Sequence, residues 1–376
     1  MTLDSNVSSQ SDITPESNAS CEVRVASRDK LATLRMLDAN INRATEGLRV
    51  VEDHCRFALD DQHLTRRCKQ LRHDLITALG AVDTLALAAA RDAQADVGAE
   101  ISTPQEANRE SLSHVAAASW QRVQQSLRVI DECLKRIAPA SAAAIENLRY
   151  QAYTLAKACT ISSDSVQHLA GARLIVLLDG GKSERSFLRR IRPLIAAGVP
   201  ILQLRDKQLS DRRLLARGRV LRQAIDEAAS GTLFIVNDRV DIAVLSRADG
   251  VHIGQDELSV RDARMIVGPE MLVGVSTHTI EQARQAVLDG ANYIGCGPTF
   301  TSSTKHFDRF PGLDYLRQVA AEISLPAFAI GGITSENLLE VRAAGFNRIA
   351  VGSAVMSAED RAAAAHSLMA ALQDKA

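Results

Sequence analysis

The feature that most constrains this chain is an alternation that begins after Ala172. Short apolar runs, "RLIVLLD", "VPILQLR", "GTLFIVND", "DGVHIG", "MLVGVS", "NYIGCGP", "PAFAIGGI" and "RIAVGSA", are separated by stretches of helical period such as "SDRRLLARGRVLRQAIDEAAS" and "TIEQARQAVLDG". The last run leads into "EDRAAAAHSLMAALQ". Strands that alternate with helices pair in parallel, with the helices as crossovers. Eight such units in about 200 residues predict a (β/α)8 TIM barrel at the lower end of its usual length. An open, doubly wound sheet is the alternative arrangement of the same units.

In a barrel of this kind, chemistry sits at the C-terminal ends of the strands. Here those ends are polar or glycine-rich one after another. The second run stops in Gln203, Arg205, Asp206 and Lys207; the third ends in Asn237 and Asp238. The fourth passes His252 to Asp256 and Glu257, and the fifth ends in Ser276, Thr277 and His278. The sixth opens into "GPTFTSSTKH", the seventh into Gly331-Gly332 and the eighth into Gly352-Ser353. One charged strand end is ordinary sheet rim; a run of seven predicts a site. The glycine turns of the last two strands would offer backbone N–H groups to a phosphate. Asp238 and Glu257 would suit Mg2+, a hard cation that takes oxygen ligands. Arg205, Lys207 and Lys305 would add positive charge, so the mouth is expected to take a diphosphate and, separately, a monophosphate. His278 and Cys296 are read as structural fillers. The "DGGKS" stretch is an ordinary βα turn, because the earlier glycine of a nucleotide P-loop is replaced by Val176.

The chain ahead of the barrel has another texture. Residues 1–27 are polar and are expected to form a disordered tail. Residues 28–160 have helical period, which predicts an all-α domain, and residues 161–171, "ISSDSVQHLAG", are expected to be a linker to the barrel at 172–376. "NRATEGLRVVEDHC" from Asn42 aligns without a gap on "QRVQQSLRVIDECL" from Gln121. This repeat predicts two similar amphipathic helices packed in a bundle. Its charged residues suit a solvated, ion-paired face as well as a phosphate site. The 44 basic and 45 acidic residues and the 3% aromatic content argue against a nucleic-acid partner. Six cysteines without a CxxC pair predict reduced, mostly buried thiols and no zinc site. With no apolar run of membrane length and no leader, the expectation is a soluble, cytoplasmic protein with no membrane partner.

The segments "QLRDK", "FIVNDRVDIA", "ADGVHIGQDE", "VGVSTHT", "GCGPTFTSSTK", "AIGGI" and "VGSAV" closely resemble, in order, those of the thiamine-phosphate synthase family. The resemblance spans roughly 172–376. It implies a barrel that joins hydroxymethylpyrimidine diphosphate to hydroxyethylthiazole phosphate with Mg2+. By position, Gln203, Arg205, Lys207, Asn237, Ser276 and Lys305 would bind the pyrimidine diphosphate, with Leu204 and Asp206 in the same segment and His252 beside the pyrimidine. Arg205, Lys207, Ser276 and Lys305 would form the catalytic set. Ser302, Ser303, Thr304, Gly332, Gly352 and Ser353 would take the thiazole phosphate. Asp238 and Glu257 would hold the metal. The family usually has Asp where this chain has Glu257, which leaves Asp256 as the alternative ligand. Retention of the diphosphate residues argues against the related thiazole tautomerases.

The helical segment, with "LDANINRATEGLRVVEDHCRF", "LRHDL", "AARDAQADVG" and "SLRVIDE", resembles a domain associated with phosphorylation of hydroxymethylpyrimidine phosphate by a kinase outside the ribokinase fold. That resemblance implies ATP as co-substrate. Arg43, Arg49, Arg56 and Arg128 are candidates for phosphate binding, and Glu52, Asp53, Asp131 and Glu132 for Mg2+. The alternative reading gives the segment no chemistry and makes it a homo-oligomerisation or lid module.

Overall fold

Eight short strands close on themselves in the computed structural model, which describes residues 15–94, 96, 108–300 and 311–373. The strands are β1 Leu174–Leu178, β2 Ile201–Leu204, β3 Leu233–Asn237, β4 Gly250–Ile253, β5 Leu272–Thr277, β6 Tyr293–Cys296, β7 Ala327–Ile330 and β8 Ile349–Val351. Each pairs in parallel with the next, and β1 pairs with β8. The expected (β/α)8 barrel is therefore present, and the open sheet is excluded. Ile175, Ile201, Ile235, Leu272, Tyr293, Phe328 and Ala350 fill one contiguous core.

Among the described residues, five α-helices precede the barrel: α1 Pro15–Asp53, α2 Gln62–Ala78, α3 Thr84–Ala90, α4 Leu112–Ile137 and α5 Pro139–His168. Nine follow: α6 Glu184–Ala196, α7 Asp211–Glu227, α8 Val240–Leu245, α9 Val260–Val267, α10 Ile280–Asp289, α11 Gly312–Glu322, α12 Leu338–Ala343, α13 Ser353–Met356 and α14 Arg361–Gln373. Local signals start several of the barrel helices. Ser183, Ser259 and Thr279 each accept a hydrogen bond from a first-turn N–H of α6, α9 and α10, as N-caps do.

The described residues divide into two compact units, one drawn from within 15–49, 71–110 and 118–152, the other from within 50–70, 111–117 and 153–373. In the first, the two copies of the sequence repeat pack on each other. A Cβ on Gly47 of α1 would stand 2.7 Å from Val123 Cγ2 of α4, so the glycine permits this close approach. Leu48 and Leu127, equivalent in the repeat, are both fully buried.

Three expected boundaries are corrected. The tail expected to run to residue 27 is helical from Pro15, where α1 begins; residues 1–14 lie outside the described residues. Most of the expected linker is the last part of α5. Its serines are buried: Ser165 Oγ accepts from Asn292 Nδ2 at 3.2 Å, and Ser163 bonds Ser113 at 3.0 Å. Residues 50–70, part of the expected helical domain, belong to the barrel's unit, where Asp61 Oδ2 accepts from the backbone N–H and hydroxyl of Ser324. No helix among the described residues is long and apolar enough to cross a membrane.

Candidate active site

A cavity of about 950 Å3 opens at the C-terminal ends of the strands. That is the upper range of small-molecule sites, large enough for two modest substrates together. Gln203, Arg205, Lys207, Asn237, His252 and Ser276 line one part, and Gly332, Gly352 and Ser353 another. The structure thus brings nine of the expected residues to one cavity.

At β2 and β3, Gln203 Nε2 donates to Asn237 Oδ1 at 2.9 Å, which fixes both amides. Just beyond β3, Asp238 has a left-handed φ of 63°, a conformation that Asp and Asn tolerate better than most side chains. Lys207 Nζ stands 3.2 Å from Asp238 Oδ2 and 3.9 Å from Glu257 Oε1. One cation therefore already sits against both predicted metal ligands. That donor set, two carboxylate oxygens converging on one positive centre, fits Mg2+.

His252 is held from both sides. Its Nδ1 lies 3.2 Å from the Tyr293 hydroxyl and its Nε2 lies 2.9 Å from Ser276 Oγ. Strand register makes this possible. Gly274 on β5 is level with His252 on β4 and with Tyr293 on β6. Without a side chain between them, ring and phenol meet. Burial, with a smaller contribution from Arg205, pulls the His252 imidazole down to about 4, so it is neutral near pH 7. Burial also pushes the Tyr293 phenol up, so it keeps its proton. That proton is satisfied when Tyr293 donates to Nδ1. Nε2–H then donates to Ser276, which leaves the serine hydroxyl hydrogen for a ligand in the cavity. Tyr293 was not legible as a site residue. Its signal is the glycine within the fifth apolar run, opposite an aromatic in the sixth.

The same neutral histidine makes stability depend on pH. Its folded value lies below the unfolded 6.5, so the unfolded chain binds more protons between about 6.5 and about 4. Stability is then fully present above about 6.5 and is lost as pH falls through that window. At about 1.4 kcal/mol per unit, the loss is roughly 3 kcal/mol. Buried His63, pulled down to about 4 mainly by burial, adds in the same direction. Urea unfolding from pH 7 to pH 4 should therefore show a steep fall for the unaltered chain and a flatter one for His252→Asn. Parallel curves would remove His252 as the source.

Some expected residues are placed elsewhere. Leu204 is buried in the barrel wall, outside the cavity lining. The Asp206 carboxylate accepts from the backbone N–H groups of Gly180 at 3.0 Å, Gln208 at 2.9 Å and Leu209 at 3.1 Å. It organises the β2 turn and has little capacity left for a ligand. Ser302, Ser303, Thr304 and Lys305 lie outside the described residues. Cys296 is buried and its thiol is pushed up to about 12, mainly by burial, in keeping with a filler; His278, also read as filler, lines the cavity. Missed from the sequence were Asp179 and Arg190, an ion pair at 2.7 Å that also lines it.

At the far side, Gly331 and Gly332 have φ of 101° and 65°. A Cβ on Gly331 would stand 2.8 Å from Pro298 Cα, so backbone runs close to backbone there. Asn337 pins the turn, with Nδ2 donating to Gly332 O at 2.9 Å and Oδ1 accepting from Thr334 N–H at 2.9 Å.

Among the candidates ahead of the barrel, Arg43 and Arg49 are exposed on α1 and Asp53 is half-buried at its end. Arg128 pairs with Glu132 at 2.8 Å and with Asp131 at 3.8 Å, so much of this face of α4 is the ion-paired surface that composition suggests. Asp131 differs from its neighbours. It is 1% exposed; Oδ2 accepts from Arg149 at 3.1 Å and Lys135 at 3.3 Å, while buried Oδ1 has no partner among the described residues.

A closed parallel barrel whose mouth gathers cations, paired carboxylates and glycine turns has the architecture of a (β/α)8 enzyme, with its candidate site at the C-terminal ends of the strands. Residues 174–355 match the family model described as thiamine monophosphate synthase, and residues 35–158 match the ThiD2 family. A thiamine-phosphate synthase of Rhodopirellula baltica is 45% identical over 86% of this chain and 88% of its own length. That of Gloeobacter violaceus is 41% identical over 88% of this chain and 94% of its own. The solved thiamine phosphate pyrophosphorylase from Pyrococcus furiosus is 31% identical, covering 54% of this chain and 98% of that one, with a TM-score of 0.48. This chain belongs to the thiamine-phosphate synthase family and is a transferase.

Proposed function

We propose that the barrel joins hydroxymethylpyrimidine diphosphate to hydroxyethylthiazole phosphate, giving thiamine phosphate and diphosphate by a dissociative substitution. The observation that carries this reading is the convergence of Gln203, Arg205, Lys207, Asn237, His252 and Ser276 with two glycine turns on one cavity. The pyrimidine's C–O bond breaks first, and its electron pair leaves with the diphosphate. Arg205 and Lys207 hold the charge that grows there, which is electrostatic catalysis by preplaced cations. Asp238 and Glu257 would hold Mg2+, which supplies further neutralisation of the leaving diphosphate. The Gln203–Asn237 pair and the Ser276 hydroxyl orient the pyrimidine side, and Tyr293, acting through neutral His252, sets the direction of the serine's proton. The turns at Gly332 and Gly352–Ser353 hold the thiazole phosphate, so that the ring nitrogen's lone pair closes the new C–N bond. No side-chain nucleophile is required.

For the helical region we infer a second activity, transfer of a phosphoryl group from ATP to hydroxymethylpyrimidine phosphate, whose product is the barrel's substrate. The ThiD2 match over 35–158 supports it, as does a buried carboxylate oxygen of Asp131 beside Arg128, Lys135 and Arg149. The competing reading is an oligomerisation or lid module. Purified full-length protein with Mg2+, hydroxymethylpyrimidine monophosphate and thiazole phosphate should form thiamine phosphate only when ATP is added. Product from the preformed diphosphate alone would reduce the helical region to a scaffold. No product from either would sink the synthase reading.

A further inference from the structure

Three cysteines far apart in sequence meet in the unit that contains the barrel. Cys55 lies in the π-helical turn His54–Ala58 that follows α1, Cys68 on α2 and Cys159 on α5. Cys68 and Cys159 are 13 and 104 residues from Cys55, a spacing that no ligand motif in the sequence announces. Their exposures are 0%, 0% and 3%. Cys55 Sγ stands 3.4 Å from Cys159 Sγ and 3.9 Å from Cys68 Sγ, and all three sulfurs lie within 4.8 Å of one another.

Isolated buried cysteines are common core fillers. Three that turn their sulfurs toward one point from three helical elements are a different arrangement. With metal–sulfur bonds of about 2.3 Å, thiolates around a tetrahedral centre stand about 3.8 Å apart, which is the scale seen here. Thiolates select soft cations such as Zn2+ and Cu+ and disfavour Mg2+. The π turn is a second, independent feature. Such turns are rare and concentrate at functional positions, and Cys55 is the buried residue of this one.

We propose that Cys55, Cys68 and Cys159 form a three-thiolate site for a soft divalent or monovalent d10 cation, which pins the end of α1 to α2 and α5. The site is structural and separate from the barrel mouth. The expectation of reduced, buried thiols holds for Cys55, Cys68, Cys133, Cys159 and Cys296, and the proposed site gives three of them a ligand role in addition. Because the sulfurs are covered, the ion enters during folding or through local opening.

The test uses the reduced full-length chain, refolded with Cd2+ as the probe ion. One equivalent per chain should produce the ultraviolet thiolate-to-cadmium charge-transfer band. Cys55→Ala, Cys68→Ala and Cys159→Ala should each lose it, and Cys133→Ala should keep it. Synthase turnover from the preformed pyrimidine diphosphate shows which variants have folded. On the unaltered chain, which avoids any folding defect, alkylation of the three cysteines should slow by about 100-fold at free Cd2+ roughly 100 times its dissociation constant, with Cys133 unaffected. No band at one equivalent, a band kept at full intensity by any of the three variants, or equal alkylation with and without Cd2+ overturns the proposal.

Discussion

Turnover of hydroxymethylpyrimidine diphosphate by an Asp238→Asn enzyme is expected to fall by about 10²–10³-fold in kcat, the usual cost of losing one preplaced electrostatic group. Asparagine keeps the size of the side chain and tolerates the φ of 63° at this position, so the change removes charge and little else. The fold should not notice. The Lys207–Asp238 pair has side-chain exposures of 57% and 21%, and exposed pairs contribute about 0–1 kcal/mol. Thermal unfolding should therefore stay close to that of the unaltered chain while turnover collapses. Glu257→Gln should act in the same direction and weaken the Mg2+ dependence of diphosphate binding. Asp256→Asn should do neither, because Glu257 Oε1, together with Asp238 Oδ2, is the carboxylate oxygen that approaches Lys207 Nζ. Unchanged kcat in Asp238→Asn would remove the metal assignment; a loss in Asp256→Asn alone would move the second ligand by one residue.

What the sequence disclosed and what it withheld divide along physical lines. The eight strand-helix units were legible because apolar runs and helical period are both strong local signals. The mouth was legible because arginine, lysine and aspartate at the end of an apolar strand stand out against their context. Asp206 shows the limit of that reasoning. By residue type it cannot be told from Arg205 or Lys207 as a site group, and only its three backbone hydrogen bonds reveal a turn-building role. Residues 161–168 failed for a related reason. "ISSDSVQH" has the composition of a connection, but Ser163 and Ser165 find partners in the packed unit, and tertiary context overrides weak helix propensity. The start of α1 was missed because polarity outweighed Pro15, a residue suited to a first helical turn. Tyr293 and the three cysteines were invisible for another reason: their meaning lies in register and in long-range convergence, which no local window contains.

Gly274→Ala carries the second large expected effect, and it is one of folding. A Cβ at this position would stand 2.1 Å from Tyr293 Cζ and 2.5 Å from both Cε atoms, well inside any real contact. The ring has nowhere to go. Tyr293 is fully buried, its hydroxyl is tied to His252 at 3.2 Å, and Phe328 meets it edge-on with ring centroids 5.6 Å apart. Overpacking of a filled core costs about 1–3 kcal/mol and at times more, and this contact belongs at the upper end. For a unit of this size, roughly 3 kcal/mol corresponds to a fall in Tm of about 6–12 °C. Tyr293→Phe should not rescue the variant, since Cζ remains in place. Tyr293→Leu, which removes the far ring atoms, should recover part of the lost stability in the double variant. Activity should not return with it, because the Tyr293–His252–Ser276 chain is then broken. Rescue of both together would show that Tyr293 serves only as packing, and equal instability of all the variants would place the strain elsewhere on β5.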